Sequence, residues 1–305
     1  MIIRPRHQSH FKLLLSNKGS VLKQIRGRLL LVTLLSVAVT LAGGWLYHYK
    51  VTLSFTPFLL MGLPLAIFLG FRNSVGYDRF WEGRNQWGEL LIVCRNLARQ
   101  ALSLPADVDQ TQARAQIYRL LAFVHALKDH LRGDGPTDLS ALLPAGELAA
   151  VEAAPNRPNK VLLFTAKSFA ALSHQGKVAP DLMARIDDQV TRLSYILGGC
   201  ERIKTTPIPY SYLLLLHRTV FVYCLLLPFG LVDSVGYLTP LLVLVLAYTF
   251  FGLDALGDEI EDPFDADPND LPLDAISRNI EVNLRSLLDE TELPPQLEPK
   301  DQVLL

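Results

Sequence analysis

LPLAIFLGFRNSVGYDRFWEGRNQWGELL occupies residues 63–91, and its character changes from apolar to charged at Arg72. An uncharged run ends at Phe71, and three arginines and three acids follow before residue 92. Apolar residues nevertheless continue at helical spacing through Trp87, Leu90 and Cys94, which gives a one-sided stripe. The stretch therefore predicts one helix that leaves an apolar environment and continues without a break into a polar one.

The composition indicates a membrane protein with a large polar portion. Half of the 305 residues are hydrophobic and 19% are charged, whereas about 25% are charged in an ordinary soluble domain. A helix needs roughly 20 apolar residues to cross a bilayer. Four segments meet that requirement: residues 29–47, 51–71, 208–232 and 234–253.

Basic residues and connection lengths predict the topology. Residues 1–28 contain seven Lys/Arg and no acid, and further arginines follow residue 71. Positive charge accumulates on the cytoplasmic side of membrane proteins, so we expect both termini and residues 72–206 in the cytoplasm. The predicted order is a basic segment (1–28), a first transmembrane hairpin (29–71), a cytosolic helical body (72–206), a second hairpin (207–254), and an acidic loop, helix and extended tail (255–305).

The sequence contains no recognisable catalytic constellation. The P-loop, GxSxG, HExxH and post-strand GxGxxG patterns are absent. Three widely separated cysteines form no metal-binding spacing, and the net charge of −1 gives no sign of nucleic-acid binding. We therefore expect neither an enzyme nor a nucleic-acid-binding protein.

Three stretches resemble the bestrophin family of ion channels, in particular its bacterial members. The first is the stretch quoted above, with its proline and LGF ending. The second is IPYSYLLLLHRTVFVYCLLLPFGLV at residues 208–232, entered through Ile-Pro, and the third is the acidic LDALGDEIEDPFDADPNDLPLD at 253–274. Together with the order of hairpins and body, the resemblance covers about residues 20–290.

The resemblance implies an all-α membrane protein with four transmembrane helices per subunit, arranged as two hairpins. In this family five subunits surround one axial pore, which the second helix lines. It further implies a multi-pass homopentamer in the lipid of the bacterial inner membrane. We expect it to conduct small monovalent ions, with a cation such as Na⁺ favoured over chloride because of the acidic residues discussed below.

By the resemblance, the narrow neck of the pore is formed by Leu63, Ile67 and Phe71. Their i, i+4 and i+8 spacing places them on one helix face. An apolar constriction gates by dewetting, since an ion must lose water there without a polar replacement. The same spacing is also typical of residues that face lipid or pack against another helix.

A second, cytosolic constriction falls at Asp181, where the family often has an apolar residue. A ring of carboxylates at a helix start would be stabilised by the helix dipole and would attract cations. A solvated first-turn aspartate is the alternative, and a one-turn shift of the alignment would give the role to Leu182 or Ile186.

The acidic stretch invites comparison with the calcium clasp of animal bestrophins. Asp267 and Asp270 match the side-chain ligand positions, but Ala266 stands where those proteins have an acid. Calcium prefers six to eight oxygen ligands. We therefore expect no required cofactor: a Ca²⁺ site at these two residues is possible, and a solvated acidic loop is the favoured interpretation.

Two alternatives stay open at this stage. His217 and Arg218 lie inside a predicted span, where ionisable residues are functional candidates, although both could reach the interface or form structural ion pairs. The protein could also be a non-conducting membrane scaffold or sensor whose helical body binds a partner. Single-channel steps in planar bilayers separate the scaffold from the channel.

Overall fold

The structure, a computed structural model, describes residues 1–2, 19–43, 45–46, 49–50, 54–133 and 135–304. Within these residues the chain is almost entirely helical. The α-helices are α1 (Leu22–Leu41), α2 (Phe55–Ser103), α3 (Gln110–Arg132), α4 (Ala145–Glu152), α5 (Arg157–His174), α6 (Pro180–Thr205), α7 (Tyr210–Val235), α8 (Thr239–Glu261) and α9 (Leu273–Ser286). Trp45–Leu46 (β1) and Tyr49–Lys50 (β2) form a short antiparallel pair.

The described residues divide into two compact units. One, the body unit, contains residues 1–2, 81–206 and 263–304; the other, the span unit, contains residues 19–80 and 207–262. Helix α2 is common to both and runs for 49 residues without a break. The continuity predicted across residues 63–91 is therefore present, and Pro64 lies within the helix.

Helices α1, α2, α7 and α8 share the apolar core of the span unit. Tyr223 of α7 lies at the centre of an aromatic group, with its ring centroid 6.0 Å from that of Phe58 and 5.1 Å from that of Phe250. Gly230 allows α7 to approach α2, because a Cβ at this position would overlap the Phe58 ring. Close helix packing in a membrane depends on such small residues.

The body unit is organised around α3, whose ends are both fixed by local sequence. Asp109 accepts a hydrogen bond from the N–H of Thr111 at 2.9 Å, which caps the start of the helix. Gly133 ends it with a positive φ of 70°. Arg119 then ties α3 to α4 by hydrogen bonds of 2.8 and 2.7 Å to the two carboxylate oxygens of Glu147.

The helix ends differ from the predicted apolar segments. The first helix begins at Leu22 rather than residue 29 and ends at Leu41, because Lys and Arg are good helix formers and apolarity alone does not mark a helix start. Gly43, with φ 61°, lies two residues after Leu41, and the two-residue strand Trp45–Leu46 occupies the end of the predicted apolar segment without changing the all-α fold class. The described part of the second helix begins at Phe55, and residues 51–53 lie outside the described residues.

The predicted boundary between the third and fourth spans is also displaced. Asp233 lies inside α7, and the break comes at Gly236, whose positive φ of 58° only glycine adopts easily. Three stretches of the described chain are long and apolar enough to cross a membrane: Leu22–Leu41, Phe55–Ser103 and Tyr210–Glu261. The last contains both α7 and α8, so four spans remain a prediction.

Candidate ion pathway

The three residues expected at the neck lie on one open face of α2. Leu63, Ile67 and Phe71 are 67, 48 and 62% exposed in the single chain. On the other side of the same turns, Leu65 and Leu69 are buried in the core of the span unit. We call Leu63, Ile67 and Phe71 the neck face. The structure thus brings the three residues together, and their role in a pore stays a prediction.

Directly after the neck face, Arg72 is buried among acidic side chains of α8. Its side chain is only 1% exposed. Nη1 donates to the carbonyl oxygen of Asp254 at 3.1 Å and to its Oδ1 at 3.0 Å. Nη2 donates to Asp258, and Glu261 Oε2 lies 3.9 Å away. Such a cation is tolerated in an apolar setting only because it is paired and hydrogen-bonded.

Two more helices reach the same carboxylate. Nδ1 of His217 on α7 lies 2.7 Å from Oδ2 of Asp254, and Nη1 of Arg28 on α1 lies 3.6 Å from it. His217 therefore lies against the carboxylate of Asp254, whereas Arg218 is exposed, and the role of either residue stays a prediction. We call the set the charge cluster: Arg28, Arg72, His217, Asp254, Asp258 and Glu261.

The cluster was not expected from the sequence, in which Arg72 marks the change from apolar to charged residues and Asp254 follows the last apolar segment. A signal was present, since Asp254, Asp258 and Glu261 recur at helical spacing on one face of a helix that is otherwise apolar at its start. An arginine at the edge of one span and acids at the edge of another form a candidate pair.

The residues proposed for the cytosolic aperture lie at the start of α6, in the body unit. Asp181 is exposed in the first turn, directly after Pro180. Of the two alternatives, Leu182 is half-buried. Ile186 is fully buried in the body unit, which disfavours it as a residue that lines an aqueous path, and the position of the aperture stays a prediction. Asp181 keeps the exposure that its predicted role requires.

The two candidate calcium ligands differ in exposure. Asp267 is exposed, whereas Asp270 is buried and its Oδ2 accepts the N–H of Asp267 at 2.7 Å. Burial is the main cause that raises the pKa of Asp270 to about 6; the carboxylates of Asp267 and Asp265 act in the same direction, and the hydrogen bond from the N–H of Asp267 acts against it. An oxygen already used to close the turn is a poor ligand for Ca²⁺, which seeks many oxygens. The geometry favours an acidic loop closed by its own hydrogen bonds, and a calcium site at these residues stays a prediction.

We expect Asp270→Asn to change how stability depends on pH. The raised pKa means that the folded protein holds this proton more tightly than the unfolded chain. The resulting stability is present below the unfolded pKa of about 3.9 and is lost as pH rises through about 6. Asp270→Asn should therefore gain roughly 1–3 kcal/mol over the parent between pH 4 and 7, measured as thermal unfolding in detergent.

The control for this experiment is Asp107→Asn, an exposed residue of the body unit between α2 and α3. It should leave the pH profile of the parent unchanged. If millimolar Ca²⁺ stabilises the parent but not Asp270→Asn, the carboxylate is a metal ligand and the closed-loop interpretation is wrong.

Comparison with known proteins identifies the family. The model of a family described as "Bacterial/Fungal Bestrophin protein" matches residues 1–286. The voltage-dependent anion channel-forming protein YneE of Escherichia coli (strain K12) is 39% identical over 300 residues, which cover 98% of each chain. The voltage-dependent anion channel-forming protein RSc3414 of Ralstonia nicotianae is 42% identical over 296 residues, 96% of each chain.

A solved structure agrees with the fold. The crystal structure of a bacterial bestrophin homologue from Klebsiella pneumoniae matches with a TM-score of 0.84 and 39% identity, and the match covers 88% of this chain and 100% of that one. The names of the two curated relatives refer to anions, so they do not support the cation preference expected from the acidic residues. The match along nearly the whole chain, in sequence and in fold, shows that this protein belongs to the bacterial/fungal bestrophin family, a family of channels rather than enzymes.

Proposed function

We propose that the protein is a channel for small monovalent ions in which α2 lines the conducting path. The observation that carries the proposal is the neck face: three large apolar side chains, open in the single chain, on a helix that continues unbroken into the polar body unit. A helix that borders one water-filled path, first in the membrane and then in the cytoplasm, has to be continuous. Its backbone hydrogen bonds stay internal, while its outer side chains change partners.

The neck face would act as a barrier that ions cross by giving up water. It carries no charge and no hydrogen-bonding group, so its resistance depends on its width. A narrow apolar ring empties of water, whereas a slightly wider one fills and conducts. The proposed gate therefore responds to small shifts of α2.

A complete path requires several copies of the chain, and we propose a homopentamer, as in the family that the sequence resembles. The body unit supports assembly, because large side chains such as Ile92 and Tyr195 stand exposed in the single chain. Contiguous apolar surface marks interaction sites, and we propose that these side chains belong to such a surface between subunits. We further propose four spans, with both termini in the cytoplasm of a bacterial inner membrane, on the basis of the basic residues in positions 1–28.

The sign of the permeant ion has two candidates, each with one observation in support. The names of the relatives support anions. Asp181 supports cations, because it is exposed at the start of α6, where a ring of five carboxylates would concentrate them. The neck face favours neither, since it is uncharged.

Shortening the side chains of the neck face tests the proposed path. We expect Leu63→Ala combined with Ile67→Ala and Phe71→Ala to raise unitary conductance or open probability by roughly twofold or more, because a wider apolar ring has a lower dewetting barrier. The measurement is single-channel recording of purified protein in planar bilayers, with size-exclusion chromatography to verify assembly.

A matched control comes from α8, where Leu241, Val245 and Tyr248 are also exposed. Their triple alanine variant removes similar apolar surface away from the neck face and should conduct like the parent. Equal conductance of the neck variant and the parent would rule out the neck face as the constriction. Absence of single-channel steps from the parent in every salt tested would favour the scaffold.

Asp181 decides between the two candidate ions. If five copies ring the aperture, Asp181→Asn should shift the reversal potential in asymmetric NaCl away from that of Na⁺, and Asp181→Lys should shift it towards that of chloride. Asp187→Lys, an exposed aspartate of the same helix, is the control and should have little effect. If Asp181→Lys leaves the reversal potential and rectification unchanged, Asp181 is an ordinary helix-start residue.

A further inference from the structure

The charge cluster lies directly beside the neck face along α2 and joins four helices. Arg72 immediately follows Phe71, the last residue of the neck face. Its partner Asp254 is fully buried on α8 and is also within ion-pair distance of His217 on α7 and Arg28 on α1. One carboxylate thus receives positive or polar groups from three neighbouring helices.

The packing around Arg72 is shaped for a guanidinium. A Cβ on Gly257 of α8 would lie 3.1 Å from Cζ of Arg72 and 2.7 Å from Oδ1 of Asn73. Only glycine therefore lets the α8 backbone pass this close to the arginine. Farther along α2, a Cβ on Gly76 would lie 2.9 Å from Ile260. Each of the two helices thus has a glycine where it packs against the other.

The same atoms do not form an attractive metal site. His217, Asp254 and Asp258 place potential ligand atoms within 4.8 Å of one another. However, Arg72 already hydrogen-bonds both carboxylates and a second guanidinium, that of Arg28, lies 3.6 Å from Asp254. A cation at this point would meet two positive charges and would have to displace hydrogen bonds that keep Arg72 stable in an apolar setting.

The position of Arg72 has a direct consequence for the neck face. Successive residues of an α-helix lie about 100° apart around the axis, so fixing the direction of Arg72 also fixes that of Phe71 and the residues one and two turns before it. Side-chain ends lie roughly 5–6 Å from the axis, and a rotation of roughly 30° moves them by about 3 Å. A shift of that size, repeated in every subunit, is comparable with the width of a water molecule.

We propose that Arg72 is the positioning residue of the neck: bound to Asp254, it sets the rotation of α2 and thereby the width of the constriction. This inference rests on the proposed function, because it assigns the neck face to the conducting path. Arg72 and Asp254 do not touch the ion; they act through the helix. Asp254 also contacts α1 and α7 through Arg28 and His217. A movement of either helix would therefore change the rotation of α2, and with it the width of the neck, through this one carboxylate.

Labelling of an introduced thiol tests the inference without requiring conduction. Leu69→Cys places a thiol on the core face of α2, where Leu69 has no exposed surface. The three native cysteines are buried, so the background with a maleimide is low. In this background, Asp254→Asn and Arg72→Lys should accelerate labelling at least about tenfold, because a broken buried ion pair lets α2 turn or open locally. Without Leu69→Cys, both should change unitary conductance.

The matched control is Arg119→Lys, which breaks the largely buried two-bond pair with Glu147 in the body unit. It should lower the thermal unfolding midpoint, yet leave labelling within about twofold of the parent and conductance unchanged. Asp254→Glu, which keeps the charge, should fall between the parent and Asp254→Asn in both readouts. If the cluster only stabilises the fold, the labelling rate should rise as the thermal unfolding midpoint falls, to the same extent in all variants, including Arg119→Lys.

The outcomes separate the inference from the proposed function. If the neck variant alters conductance but Asp254→Asn and Arg72→Lys change neither labelling nor conductance, the inference is overturned and the channel stands. If the parent never conducts while Asp254→Asn still accelerates labelling, the proposed function fails and only the link between Arg72 and the position of α2 survives. Rapid labelling of Leu69→Cys in the otherwise unchanged parent would contradict the inference at once.

Discussion

A buried guanidinium has to be paired, and this requirement organises the span unit. Arg72 stands where α2 leaves its apolar stretch, almost entirely shielded from solvent. Removing such a charge from water costs several kcal/mol unless acceptors replace the water. Asp254 and Asp258 on α8 supply these acceptors, and the imidazole of His217 and the guanidinium of Arg28 approach the second carboxylate oxygen of Asp254. The charged and polar groups that surround Arg72 and Asp254 therefore come from all four helices of the span unit.

The same constraint connects packing to function. An isolated apolar helix is free to rotate in lipid, because every direction offers a similar environment. A buried ion pair removes that freedom and makes one face of α2 point to the core and the opposite face point away from it. Leu65 and Leu69 pack inside, while Ile67 and Phe71 stay open. The proposed dewetting gate needs this defined orientation, since its resistance depends on small differences in width.

Much of the architecture was predictable from local sequence patterns. The unbroken helix through Arg72, the apolar stretches and the helix after Pro180 all follow from periodicity and from the known preferences of helix starts. The family followed from motifs that lie far apart in the chain. Helix ends were less predictable. Helix α7 ends directly before Gly236, three residues after Asp233, because of the backbone conformation of this glycine, which hydropathy does not predict.

The partner of Arg72 could not be predicted from sequence in the same way. Asp254 lies 182 residues away, and its selection depends on how α2 and α8 pack, including the space that Gly257 leaves open. Burial of Ile186 was equally invisible, because an apolar residue in the first turns of α6 fits a pore or a core. In the proposed homopentamer the choice of permeant ion would depend on charges that several copies of the chain place around the path, and one sequence does not give that arrangement.

The central claim is that one face of α2 borders the ion path and the other faces the protein core. The most direct measurement is the block of single-channel current by a thiol-reactive ion applied to Ile67→Cys and, separately, to Leu65→Cys. The two positions lie about half a turn apart on the same helix, and the native cysteines are buried. We predict rapid, complete block of Ile67→Cys and little change in Leu65→Cys. Equal sensitivity of both, or block of Leu65→Cys alone, would contradict the claim.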